Sequence, residues 1–275
     1  MSQVEDKDSC NGVCEGCPSQ EGCSGAPKPS RKGIKRIVAV GSGKGGVGKS
    51  SVSALLAVGL AKRGFSVGVM DADITGPSIP KLFGVDSRPS GNGEGKIIPP
   101  KTDRLGISIM SMNLLLDDPK APVVWRGPLI GGVVQQFWND VDWNGLDWLV
   151  VDLPPGTADA PLTVMQTVAL DGMVIVSTPQ ELSALIVGKQ ARLAEMMNVP
   201  IMGMVENMSH VVCPHCGEEL RVFGESHSDQ IESNFGISTL ARIPISSEIA
   251  SLGDRGLIED YDNLSLLNEL VDGIV

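Results

Sequence analysis

The chain of 275 residues carries a formal net charge of −11 and a pI of about 4.7. That balance argues against nonspecific binding to nucleic acid or anionic membranes, and no apolar run is long enough to span a bilayer. Hydrophobic residues make up 42% and aromatics only 4%, which predicts one large α/β domain of parallel strands and tight turns, with room for a small appendage.

Residues 1–8 are acidic, unlike a secretory or organellar targeting peptide. A cytoplasmic, reducing setting is expected, in which the six cysteines read better as metal ligands than as disulfides. Residues 1–32 form a separate segment with Cys10, Cys14, Cys17 and Cys23 spaced C-x3-C-x2-C-x5-C among Gly, Ser, Pro and acidic residues. It has too little apolar surface to fold on a core of its own, but four thiolates can fold a short segment around a metal. Tight clustering favours a cubane iron–sulfur cluster; zinc accepts the same four thiolates and is the rival. Residues 26–32 read as an extended linker, and residues 33–275 as the main domain.

Residues 34–40 read as a buried strand and residues 51–62 as a helix, with apolar Val52, Leu55, Leu56 and Leu60. Between them lies Gly43-Lys44-Gly45-Gly46-Val47-Gly48-Lys49-Ser50-Ser51, a phosphate-binding loop with its full spacing in its proper strand–loop–helix context. Glycines let backbone N–H groups wrap phosphates, and the helix N-terminus favours negative charge. Lys49 is expected to reach the outer phosphates and Ser50 to hold Mg²⁺. Lys44 is a second cation that this chemistry does not require, placed to project toward a nucleotide held by a second copy.

A strand over residues 66–70 ends at Asp71-Ala72-Asp73, where ligands bind in parallel sheets. If extended, the two carboxylates share a side; one suits a Mg²⁺ water and the other the attacking water. Capping of the following turn competes for Asp71 more than for Asp73. Residues 76–80 read as an irregular switch loop, 87–104 as a surface excursion, 105–116 as containing a strand, and 129–139 as a helix. The buried strand 148–152 ends in Asp152, followed by Leu153-Pro154-Pro155-Gly156-Thr157. Asp152 is placed to hold Mg²⁺ through water and Gly156 to sense a terminal phosphate with its N–H.

Strands over 173–177 and 201–205 with a helix over 182–197 continue the alternation, which predicts a mainly parallel central sheet flanked by helices. Asn207, just past a strand, is placed to read a purine edge or to make a turn. Cys213-Pro214-His215-Cys216 supplies two ligands where a tetrahedral metal or a cubane needs four. The N-terminal cysteines or the same loop of a second copy must complete it; twofold symmetry makes the second natural. A thioredoxin-type redox pair is the alternative, but that motif follows a strand and opens a helix, and Glu218 and Glu219 after this pair are expected to disfavour thiolates. His210 and His227 have no assigned partners. A strand over 239–243 and an amphipathic helix over 264–271, expected to pack on the sheet, end the chain.

Lys44 within Lys-Gly-Gly-x-Gly-Lys-Ser resembles the deviant Walker A motif of the MinD/ParA/nitrogenase iron protein class, in which ATP is sandwiched between two subunits. With Asp71-Ala72-Asp73-Ile74-Thr75-Gly76-Pro77-Ser78, Trp125-Arg126-Gly127-Pro128, residues 147–157, Ser177-Thr178-Pro179-Gln180-Glu181-Leu182, and Val205-Glu206-Asn207-Met208-Ser209 leading into the cysteine pair, the chain resembles the Mrp/ApbC P-loop ATPases. The resemblance runs from residue 36 across nearly the whole chain. It implies a P-loop NTPase fold, a slow ATPase using Lys44, Lys49, Ser50, Asp73 and Asp152, and a homodimer bridged by one 4Fe–4S cluster on Cys213 and Cys216 of each subunit. Apo iron–sulfur proteins are the implied acceptors, and ATP the implied nucleotide.

Cys14, Cys17 and Cys23 match the ferredoxin-like spacing of the eukaryotic cytosolic branch, which implies a further cluster in each N-terminal segment; Cys10 lies closer to Cys14 than in that pattern. Ile186 falls where many members carry Asp, and Gly253-Asp254-Arg255-Gly256-Leu257 lacks a common Pro. An ATP-dependent carrier of a labile cluster is the leading expectation. An ATP-gated electron-transfer protein like the nitrogenase iron protein, and a structural zinc protein of the positioning class, are the alternatives.

Overall fold

The computed structural model describes residues 30–74, 76–93, 95–116, 127–157 and 159–275. Cys10, Cys14, Cys17, Cys23 and the Trp125-Arg126 pair lie outside the described residues. In chain order the elements are β1 (Arg36–Gly41), α1 (Lys49–Lys62), β2 (Val67–Asp71), α2 (Ile79–Phe83), β3 (Ser90–Gly91), β4 (Ile97–Ile98), β5 (Ser108–Met110) and α3 (Gly127–Asp140). They continue with β6 (Trp148–Asp152), α4 (Asp159–Thr167), β7 (Gly172–Ser177), α5 (Glu181–Met196), β8 (Ile201–Asn207), β9 (Val211–Val212) and β10 (Glu219–Leu220). The last four are α6 (Ser228–Phe235), β11 (Thr239–Ile243), α7 (Ser247–Asp254) and α8 (Leu264–Asp272).

The apolar strands are buried on both faces, as parallel strands flanked by helices must be. Seven of them form one sheet in the order β11-β8-β7-β1-β6-β2-β5, every pairing parallel. Alternation sorts the side chains into two cores. Val38, Val40 and Val150 face α1 and α8, whereas Ile37, Ala39, Leu149 and Val151 face the layer holding α3, α4 and α5. β1 sits between β6 and β7, so the loop at its C-terminal end opens at the middle of the ligand-binding edge.

The local differences from the sequence reading have physical causes. α1 is buried without interruption over residues 52–60, because α8 covers its outer side instead of lying on the sheet alone; α8 also meets β11. The switch-loop stretch is irregular only as far as Ser78, since Pro80 fits the first turn of α2. Residues 87–104 are less detached than a surface excursion. They hold the antiparallel β3–β4 ribbon and are tied down by Thr102, whose hydroxyl donates to Glu259 Oε1 at 2.6 Å. No helix among the described residues is long and apolar enough to cross a membrane.

The α1–α8 contact depends on a small residue. A Cβ at Gly59 would lie 2.9 Å from Val271 Cγ2 and 3.1 Å from the Leu267 carbonyl. Gly59→Leu is therefore expected to destabilise the fold by about 1–3 kcal/mol through overpacking, read as a lower urea midpoint with an unchanged slope.

Candidate functional site

The glycine loop joins β1 to α1 and is shaped as a cradle. A Cβ at Gly45 or Gly46 would meet nothing within 4 Å, so the loop faces open space there. Its base is closely packed. Gly48 has φ +79, and a Cβ on it would lie 2.2 Å from Asn207 Nδ2, so this position needs glycine for conformation and for space. The carboxamide of Asn207 donates to the Val47 carbonyl at 2.8 Å. The end of β8 thus supports the loop from beneath.

Charge converges at the start of α1. Lys49 is 6% exposed; its Nζ lies 2.8 Å from Asp152 Oδ2, 3.3 Å from Ser50 Oγ and 3.8 Å from Asp73 Oδ2. Asp152 is fully buried. Ser50 Oγ donates to its Oδ2 and Ser53 Oγ to its Oδ1, both at 2.6 Å. Ser53 also contacts the Lys49 carbonyl at 3.1 Å. The sequence reading did not single out Ser53. Its signal was available: a hydroxyl three residues after Ser50, on the same helix face, inside an otherwise apolar run.

The two aspartates after β2 take different places. Asp71 is fully buried and organises the turn: Oδ1 accepts from the Asp73 N–H at 3.2 Å, and Oδ2 from Ile79 N–H at 3.3 Å and Ser111 Oγ at 3.0 Å. Burial first, and then the Asp152 charge, push its carboxyl up to about 8; Lys49, Ser111 and the Ile79 amide oppose the rise. This is the turn-capping role. Asp73 is the carboxylate that stands within ion-pair distance of Lys49. Lys44 Nζ donates to Gln180 Oε1 of its own chain at 2.7 Å. Gly156 gives its N–H to the Ser42 carbonyl at 2.8 Å, and its own carbonyl accepts from Gln190 Nε2 at 2.7 Å.

The cysteine pair occupies the tip of a hairpin made by β9 and β10. The Cys213 N–H bonds the Glu218 carbonyl and the Gly217 N–H bonds the Cys213 carbonyl, each at 2.9 Å, closing a tight turn. The backbone N–H of Cys216, then that of His215, then the Cys216 thiol hold the Cys213 thiol below its ordinary range. Glu218 and Glu219 were expected to disfavour thiolate; at Cys213 the nearby amides decide the opposite sign, because the glutamates are exposed to water. Cys216 is exposed. Exposed Val212, Leu220, Val222 and Phe223 belong to the hairpin and the turn after it. No group of three or more His, Cys, Asp and Glu side chains among the described residues is arranged to hold a metal. By itself the pair offers two free thiols. His210 and His227 have local partners, Ser209 Oγ at 2.8 Å and Gln230 Oε1 at 3.3 Å.

Known proteins resemble this chain in sequence and fold. An iron-sulfur cluster carrier protein of Clostridium perfringens is 43% identical over 270 residues, spanning 91% of this chain and 94% of that one. Another from Methanocaldococcus jannaschii is 42% identical over 259 residues, spanning 90% and 89%. A nucleotide-binding protein from Archaeoglobus fulgidus, solved in complex with ADP, is 46% identical with a TM-score of 0.75, over 83% of this chain and 89% of that one. The cell division ATPase MinD of Pyrococcus furiosus, at 19% identity and a TM-score of 0.63 over 88% and 98%, shares the fold. The family model described as ParA, NUBPL iron-transfer P-loop NTPase, matches residues 33–274. This bears out the resemblance carried by the glycine loop and the cysteine pair: the chain belongs to the NUBPL iron-transfer P-loop NTPases of the ParA class.

Proposed function

We propose that this protein is an ATP-dependent carrier of iron–sulfur clusters that holds a labile 4Fe–4S cargo between two copies of itself and passes it to apo-proteins in the cytoplasm. The observation that carries this reading is the two-ligand hairpin: Cys213 is eased toward thiolate, yet no third ligand stands beside the pair among the described residues. A twofold axis through two hairpins makes four thiolates. The exposed apolar residues Val212, Leu220, Val222 and Phe223 suit an interface around them. A cluster shared across a separable interface is easier to release than one enclosed by a single chain. Cys10, Cys14, Cys17 and Cys23 are proposed to hold a second cluster.

The cradle fits a nucleotide with Mg²⁺. Gly45 and Gly46 border open space, and Ser50 Oγ and Asp152 Oδ2 are 2.6 Å apart. Ser50 would hold the metal directly and Asp152 through water; Mg²⁺ supplies charge neutralisation on the phosphates. Lys49 exchanges its contact with Asp152 for phosphate oxygens. Asp73 orients the attacking water. Lys44 leaves Gln180 to reach the nucleotide of the other subunit, which makes hydrolysis depend on dimer formation. Asn207, at the end of β8, serves the nucleotide through the loop it supports at Val47 rather than by reading the base edge.

Three outcomes test this reading. After anaerobic reconstitution, Cys213→Ala/Cys216→Ala is expected to lose one 4Fe–4S cluster per dimer and all transfer to an apo-enzyme, read as iron, sulfide and recovered activity. Full iron with normal transfer would move the functional centre to the N-terminal cysteines; a stable cluster cycling by one electron without transfer would favour gated electron transfer. Lys44→Ala is expected to keep ADP binding while lowering turnover by about 10²-fold, the scale of one lost transition-state donor, whereas Lys49→Ala weakens nucleotide binding itself. In metal-free protein, Cys213 is expected to alkylate with a pH midpoint below that of a free thiol, measured by mass spectrometry across a pH series.

A further inference from the structure

Gly156, in the turn after β6, is held on both sides of its own backbone. Its N–H is committed to Ser42 and its carbonyl to the side chain of Gln190. Its φ of +95 places it in the left-handed region, where no side chain obstructs the turn. An N–H given to Ser42 is unavailable to a terminal phosphate.

Gln190 is the unusual partner. It lies on the buried stripe of α5 with Val187, Leu193 and Ala194, itself 1% exposed. A glutamine at that spacing interrupts an apolar face. Its Nε2 reaches Gly156, and its Oε1 is buried with no hydrogen-bond partner, the single such side-chain atom found among the described residues. That oxygen lies against the end of β1: a Cβ on Gly41 would be 3.6 Å from it. A buried acceptor without a donor is costly, and each one calls for an explanation.

We propose that Gln190 is a positioning residue that latches Gly156 with its N–H committed to Ser42, so that a γ-phosphate must displace the latch to recruit that N–H. This rests on the reading of the glycine loop as a nucleotide site. ADP ends at the β-phosphate and leaves the latch undisturbed; ATP works against it. Gln190 therefore sets how strongly the protein distinguishes ATP from ADP without touching either. The unmet Oε1 keeps the latch weak: a carboxamide satisfied at both ends would lock Gly156, whereas this one leaves two arrangements close enough in free energy for a ligand to choose between them.

The test is Gln190→Met in the full chain, with Gln190→Leu as a second variant and thermal unfolding to confirm the fold. Dissociation constants are measured with Mg²⁺ for ADP and for a non-hydrolysable ATP analogue. The latch predicts an ADP constant within about twofold of wild type and an analogue bound about fivefold more tightly, the equivalent of one lost hydrogen bond in the competing state. An unchanged ratio, or an analogue bound more weakly, overturns the inference alone. A purely structural role would move both constants together, which also overturns it. Wild-type protein that bound neither nucleotide would overturn the nucleotide reading and the latch with it.

Discussion

The buried pair of Lys49 and Asp152 organises the site. Both lie beneath the surface, 2.8 Å apart, and hydroxyls from Ser50 and Ser53 occupy both oxygens of the carboxylate. Removing charges from water is expensive, and a buried pair repays that cost only when its remaining hydrogen bonds are met. Here they are met by one turn of α1, so the helix start, the end of β6 and the glycine loop are fixed relative to one another. Asp71 stands beside this pair, and its pKa is raised first by its own burial and then by the Asp152 charge. The cluster makes a poor stability device and a good binding site, because it keeps a lysine and a carboxylate dry and aimed at one place.

The C-terminal edge of the sheet also leads into the cysteine pair. β8 ends at Asn207, whose side chain supports the loop at Val47, and β9 starts at Val211, two residues before Cys213. The strand that steadies the cradle therefore leads directly into the cysteine hairpin. On the other side of the loop, α5 brings Gln190 to Gly156, and a Cβ on Gly188 of the same helix would lie 2.7 Å from Phe235 on α6. α5 thus links the turn after β6 to α6.

Much of this was legible in the chain. The strand–glycine loop–helix unit, the strand ending in Asp152 and the C-x2-C pair were set by local chemistry: close spacing, β-branched runs and glycine at turns. The alternation of strand and helix was enough for a parallel sheet, because a parallel connection requires a crossover. Less visible were groups whose roles depend on what folds over them. Asp71 and Asp73 are chemically alike and two residues apart; only burial against Ser111 and Ile79 makes one a turn cap and leaves the other near Lys49. Glu218 and Glu219 looked unfavourable for thiolate by charge count, until the hairpin aimed backbone N–H groups at Cys213.

The sequence by itself determined the fold class, the glycine loop with its lysines, the aspartates at the strand ends and the cysteine pair, because each is a pattern written within a few residues. The tertiary structure decided the order β11-β8-β7-β1-β6-β2-β5, the burial of α1 under α8, the service of Ser53 to Asp152 and the meeting of Gln190 with Gly156. Those facts join residues tens to about a hundred positions apart or more. They follow from which surfaces exclude water together, and local periodicity carries no record of that.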